Sequence, residues 1–329
     1  MKFSFGKNKY TAVDIGSSSI KVAVVTGNSN KIKIKSANYK NLPPGIIEDG
    51  EIKDKSIVAN ELQDIFDEMN INSKKVITTI PSTHLITRNL EMPNLDKKEL
   101  EEALNWELDD VLPYSADDTT FDYIITDKDE DKVNILLIAA KNEIVKQYKE
   151  PFKEIGIKAN VINIQPMALV SLLNYHQKLD NPSAIIDLGH QGSRVILADK
   201  DNLYLSRTID SGGFDFTKNI MDTNQMEYKE AEEYKWANGI ENTNEELDSV
   251  DEDISLLGIG NDLVNIAKEI SEEVSRSLEF YSIKNRGENI ENLYLIGGTA
   301  LLKGIDDMIE EETGLKAEII DPFEPFDYN

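Results

Sequence analysis

The 329-residue chain contains no cysteine, three histidines, two tryptophans and ten prolines, and its 35 basic residues are outnumbered by 61 acidic ones. Without cysteine, thiolate zinc sites, iron–sulfur clusters and disulfides are excluded. His84, His176 and His190 are scattered with no carboxylate or second histidine at ligand spacing, so no histidine metal site is expected. The net charge of −26 repels nucleic-acid backbones and anionic lipid, so a phosphate ligand needs a local site that overrides the global field. No apolar run approaches the ~18–20 residues of a membrane span, and the longest are strand-sized pieces such as residues 135–140. The opening MKFSFGKNKY has no apolar signal core, which leads us to expect a cytoplasmic chain. No G-x-S-x-G elbow is present, so serine nucleophile chemistry is unsupported.

What is there reads as α/β. At ~100–200 residues per domain the length allows about two domains. Residues 10–15, 19–26 and 32–37 read as three consecutive antiparallel strands, with turn chemistry at 27–30. Apolar positions at helical spacing over 56–69 predict a helix, followed by a strand at 75–80. Residues 81–159 then read as a compact βαββα insert. Its first helix is opened by an Asp96/Glu99 capping box, and its last by Asn142. A second half begins at residue 184, where strand, Asp-x-Gly turn and strand return as an internal duplication. Helices are expected over 226–238, 261–281 and 301–313, and the acidic stretch 241–253 reads as a loop. The expected division is 1–80 with 160–180 as the first core, 81–159 as insert, 181–215 with 291–329 as the second core, and 216–290 as a helical subdomain.

Three elements could carry chemistry. Asp14 followed by Gly16, Ser17, Ser18, Ser19 and Lys21 combines backbone amides and hydroxyls suited to an anion with a carboxylate suited to hydrated Mg²⁺. Any hairpin can carry such a turn. Asp187 with Gly189, Gln191, Gly192 and Ser193 repeats it in the second half, and two such turns facing each other would clamp a polyphosphate. The strand 293–296 then runs into Gly297, Gly298 and Thr299, where a flat base can lie against backbone.

In this order the three motifs resemble those of the actin-like ATPase superfamily. The stretches LPPGIIEDG (42–50), PST (81–83) through Arg88 to Met92-Pro93, and EEALNWELDDVLPY (101–114) resemble the PilM family of type IV pilus assembly proteins, relatives of the division protein FtsA. The resemblance spans nearly the whole chain. It implies an actin-like ATPase fold of two duplicated lobes around a nucleotide cleft, binding ATP with Mg²⁺ held through water by Asp14 and Asp187. It further implies that Gly212 and Gly213 form another phosphate-side turn, and that Glu232 and Lys235 of an A-E-x-x-K helix lie near ribose and base. Gln165, where the chaperone ATPases have glutamate, would orient a water but is a poor general base, so turnover would be slow. The implied role is a scaffold that binds the N-terminal cytoplasmic tail of a PilN-like inner-membrane protein and is thereby held at the inner face of the membrane.

Two other functions share the motifs. An FtsA-like division protein would attach to membrane through an amphipathic C-terminal helix, which the acidic, twice proline-interrupted residues 321–329 cannot form. A small-molecule kinase would need an acceptor pocket with a catalytic aspartate, for which no motif is present.

Overall fold

This computed structural model describes residues 8–28, 31–240 and 254–328. The acidic stretch 241–253 and turn residues 29 and 30 lie outside them. The chain divides into two units, Met1–Ala168 with Phe326–Asn329, and Leu169–Pro325.

In the first unit β1 (Asn8–Ile15), β2 (Ser19–Asn28) and β3 (Lys31–Asn41) form an antiparallel meander. The short pair β4 (Ile47–Glu48) and β5 (Glu51–Ile52) leads into α1 (Lys55–Glu68). Asp54 caps α1 by accepting from the amides of Ser56 and Ile57 at 2.9 and 3.1 Å. Its buried stripe of Val58, Leu62, Ile65 and Phe66 packs on Val13, Ile15, Val22 and Val24, alternate residues of β1 and β2. Burying side chains of this size is worth about 1.5–3 kcal/mol each, far more than helix propensity supplies. Then follow β6 (Lys75–Ile80), β7 (Leu85–Pro93), α2 (Lys97–Val111), β8 (Thr119–Lys128), β9 (Lys132–Lys141), α3 (Asn142–Glu154) and β10 (Lys158–Ile164). The main sheet runs β10-β6-β1-β2-β3, with β6 and β10 parallel to β1.

The insert keeps its own sheet, β7-β9-β8, covered by Leu100, Leu104 and Leu108 of α2. Two local expectations differ from what is found. Asp96 does cap α2, accepting from Lys98 and Glu99 amides at 2.9 and 3.0 Å. Asn142, however, does not cap α3: its side chain bridges the Thr120 hydroxyl and the Asp117 carbonyl, and Lys141 occupies the cap position without a side-chain bond. Nor does α3 bury its apolar stripe on the insert alone. Its Ile144, Val145, Tyr148 and Phe152 join the core of the main sheet with α1, while Ala140 of β9 packs in the same cluster.

The second unit begins within α4 (Gln165–Tyr175), which crosses the division between residues 168 and 169. Strands β11 (Ser183–Leu188), β12 (Ser193–Ala198) and β13 (Leu203–Ile209) repeat the antiparallel meander. Helices α5 (Gly213–Asn224), α6 (Tyr228–Asn238) and α7 (Ile254–Lys284) follow, then β14 (Asn292–Ile296), α8 (Ile305–Thr313) and β15 (Ala317–Ile319). The sequence pattern carries little sign of α5, whose glycine-led start reads as a turn. The sheet order β13-β12-β11-β14-β15, with β14 and β15 parallel to β11, reproduces strand for strand the order of the first unit. Every residue of β11 is buried. Ala184, Ile186 and Leu188 face the α5–α8 side while Ile185 faces Val170 and Leu173 of α4, which explains an uninterrupted apolar strand. The last strand, β16 (Asp327–Tyr328), pairs with β3 of the first unit rather than staying with residues 291–325.

The His176 side chain is 2% exposed, 3.9 Å from Glu324. Burial pushes its imidazole below the ordinary value, while Glu324 pulls it back up. The unfolded chain therefore takes up a proton near pH ~6.5 that the folded form accepts only lower down. Stability of the second unit should be complete above that pH and decline as the pH falls through the folded value. Replacing His176 by glutamine should flatten the pH 5–7 slope in urea unfolding.

Candidate functional site

The anticipated site residues separate into two sets. Asp14, Gly16, Ser17, Ser18, Ser19, Lys21 and Gln165 belong to the first unit, and all the others to the second.

In the first unit Gly16, Ser17 and Ser18 make the bend between β1 and β2. The Gly16 amide closes it on the Ser19 carbonyl at 3.0 Å, and the Ser18 carbonyl accepts from Leu42 at 2.8 Å. The Gly16 amide is thus engaged within the turn. Asp14 accepts from Thr79 at 3.1 Å and faces Lys21 across the strands at 3.6 Å. Gln165 opens α4, half-buried, directly after β10. An open cavity of about 640 Å³ lies toward the opposite ends of these strands, lined by Tyr10, Thr11, Val76, Ile77 and Val161 with Lys9, Lys74 and Lys75.

In the second unit three chain segments far apart in sequence meet. The Gly189 carbonyl accepts from the Gly213 amide at 2.9 Å and from the Thr299 hydroxyl at 2.8 Å. The Ser193 hydroxyl donates to the Ser211 carbonyl at 2.8 Å. The approach is close enough that Gly189, Gly212 and Gly297 are required, a Cβ on Gly189 meeting the Gly192 carbonyl at 2.5 Å. A Cβ on Gly212 would lie 2.6 Å from the Gly192 nitrogen and the His190 oxygen. Gly297, at φ +100°, has the Leu188 carbonyl where a Cβ would be, 2.4 Å away. Gly298 is exposed with open space beside it, and Gln191 is half-buried on the turn. The result is a backbone-lined nook with the N-terminus of α5 on one wall, whose Gly212 amide is held by the Asp215 carboxylate at 2.8 Å.

Lys235 and Glu232 lie behind this nook. Lys235 is 2% exposed and spends its three donors on the Gly213 carbonyl (3.0 Å), the Thr217 hydroxyl (2.8 Å) and Glu232 (2.6 Å). Burial pushes Lys235 below its ordinary value, and Glu232 pushes back. For Glu232, burial works upward but hydrogen bonds from Lys235, Thr217 and Trp236 win, holding its carboxyl below the usual range. Lys235 therefore supports the glycine turn of α5, and the half-exposed Trp236, bonded to Glu232 at 3.1 Å, stands beside the pair.

A residue missed in the sequence reading completes the set. Arg194, 6% exposed, lies directly across the strand pair from Asp187, its guanidinium 4.0 Å from the carboxylate and 3.5 Å from the Thr208 hydroxyl. Burial lowers it from its ordinary value and Asp187 raises it, and an arginine remains a cation throughout. A signal existed: Arg194 follows Asp187 by the same seven residues that separate Lys21 from Asp14.

A family model described as type IV pilus assembly protein PilM matches residues 12–329. The chain belongs to the PilM family. Its fold is the actin-like ATPase fold, shared with solved structures. One is the PilM-PilN type IV pilus biogenesis complex, at 22% identity over 98% of this chain and 91% of that one with a TM-score of 0.83. Another is MreB5 of Spiroplasma citri bound to ADP, at 17% identity over 96% and 92% with a TM-score of 0.53. Among curated proteins the cell division protein FtsA of Enterococcus hirae is 24% identical over 349 residues, covering 95% of this chain and 78% of FtsA. Within this PilM-family chain no helix among the described residues is long and apolar enough to cross a membrane.

Proposed function

We propose that this PilM-family chain is a nucleotide-binding scaffold of the type IV pilus machinery. The observation that carries the nucleotide reading is the nook of the second unit, where Gly189, Gly212 and Gly297 let three turns close to a spacing that any side chain would fill. The positive end of the α5 dipole at such a place favours phosphate, while the Gly213 and Phe214 amides are engaged by the Gly189 and His190 carbonyls at 2.9 and 2.6 Å. The solved MreB5 structures, bound to ADP and to AMPPNP, support the same reading. Gly189, Gln191, Gly192, Ser193, Gly212 and Gly213 would hold phosphate, and Gly297, Gly298 and Thr299 would lie under the base. Glu232 would stand toward the ribose, with Lys235 acting from behind. Gly16, Ser17, Ser18, Ser19 and Lys21 form the corresponding turn of the first unit. ATP, when bound, supplies the polyphosphate for such turns.

The residues do not fit a directly ligated metal. Among the described residues no cluster of three metal-capable side chains exists, and Asp14 and Asp187 each face a cation. Mg²⁺ would reach them through water. Gln165 would orient a water without accepting its proton, so hydrolysis is expected on the order of 10⁻³–10⁻² s⁻¹, as in hydrolases that rely on an oriented water. A phosphate-release assay showing turnover above about 1 s⁻¹, in the range of dedicated phosphoryl-transfer enzymes, would point to a motor instead.

The partner reading rests on family membership and on the solved PilM-PilN complex. The N-terminal tail of a PilN-like inner-membrane protein would lie in a groove of the insert and its neighbouring face, placing this chain at the cytoplasmic side of the membrane. Titrating a labelled peptide of that tail should give saturable anisotropy. A flat titration would end that partner reading. For the nucleotide, co-purified ATP or a saturable calorimetric titration is expected, and no binding at millimolar nucleotide would end that reading.

A further inference from the structure

Both phosphate-type hairpins are built with an aspartate one residue before the strand end and a basic residue directly across the ladder. Asp14 is in register with Lys21, and Asp187 with Arg194. The two pairs differ in burial. The side chains of Lys21 and Asp14 are 57% and 48% exposed, whereas those of Arg194 and Asp187 are 7% and 11% exposed. A carboxylate inside a phosphate-binding turn repels its ligand unless a cation neutralises it. A bound divalent ion is one such cation. Here a fixed guanidinium already stands beside Asp187, held in place by the all-buried strand β12.

We infer that Arg194 is the resident counter-ion of the second phosphate turn, and that it makes nucleotide binding by this chain largely independent of divalent metal. The inference rests on the nucleotide-binding reading above and goes beyond it. Asp187 then acts chiefly as the anchor that orients Arg194 rather than as a metal ligand. Arginine suits this position because it stays charged when buried, where a lysine surrenders its proton more readily. Thr208, at 3.5 Å, restrains the guanidinium from the next strand.

The test is a set of calorimetric ATP titrations of the full-length, nucleotide-free protein in Mg²⁺ and in EDTA. For the wild type the two dissociation constants should agree within about threefold, since a fixed cation needs no recruited one. Arg194→Gln should weaken binding in EDTA by about thirtyfold or more and recover most of it in Mg²⁺, because the ion then supplies the missing charge. Arg194→Lys should fall between the wild type and Arg194→Gln in EDTA, since a buried lysine holds its charge less firmly. Asp187→Asn should bind in EDTA at least as well as the wild type, an outcome opposite to that expected of a metal ligand. Wild-type binding that requires Mg²⁺ overturns the inference and leaves the nucleotide reading intact, as does an Arg194→Gln variant with unchanged metal dependence. Failure to bind in either buffer ends both. The wild-type comparison decides even where a variant does not fold.

Discussion

Lys235→Met is expected to lower the stability of the second unit by about 3 kcal/mol, the lower end of what removing one partner of a buried ion pair costs. The lower end applies because the Glu232 side chain retains 23% exposure, whereas that of Lys235 has 2%. Methionine matches the lysine stem but leaves the Gly213 carbonyl, the Thr217 hydroxyl and the Glu232 carboxylate without their shared donor. The loss should therefore be partly recovered in Lys235→Met with Glu232→Gln, with a coupling of about 1–3 kcal/mol between the sites. Urea unfolding followed at Trp236, in a background where the exposed Trp106 is phenylalanine, reads this directly. Nucleotide affinity should fall as well, since Gly213 is the first residue of α5 and its carbonyl is what Lys235 holds. A single variant that unfolds like the wild type would show that the network is incidental.

Gly297→Ala should be comparably damaging, at about 3 kcal/mol or more. Two costs add: about 1–3 kcal/mol for a side chain in a sparsely populated backbone region, and about 1–3 kcal/mol for forcing atoms into a packed space. At φ +100° the new methyl would meet the Leu188 carbonyl at 2.4 Å and the Asp187 carboxylate at 2.9 Å, neither of which sits on a flexible tail. The neighbouring Gly298 is the internal control. It has φ −63° and nothing within 4 Å of a built Cβ, so Gly298→Ala should change stability by less than about 0.5 kcal/mol. Equal effects at the two positions would refute the close approach of the three turns.

Much of the fold is legible locally. Period-two alternation marks β1 and β2, helical spacing marks α1 and α2, and the Asp-x-Gly repeat 173 residues apart (187 against 14) signals the duplication that the matching sheet orders display. The departures occur where a short pattern has several satisfactory solutions. Asn142 is a good cap residue by type, yet Thr120 and Asp117 claim its side chain. The stripe of α3 is clear, but which sheet it covers depends on area available elsewhere. The A-E-x-x-K stretch carries no sign that Lys235 is buried, and its burial follows from α5, whose glycine-led start carries little helical signal.

The sequence by itself determined the strand–turn–strand units and their glycine turns, because each rests on residues within a few positions of one another, and membership of the PilM family, because short matching stretches recur along the chain. Tertiary structure alone decided that Thr299 reaches Gly189 across 110 residues, that Lys235 serves the α5 turn rather than solvent, and that Arg194 is buried against Asp187. Those outcomes depend on desolvation and close packing, which arise only when segments distant in the chain compete for the same volume.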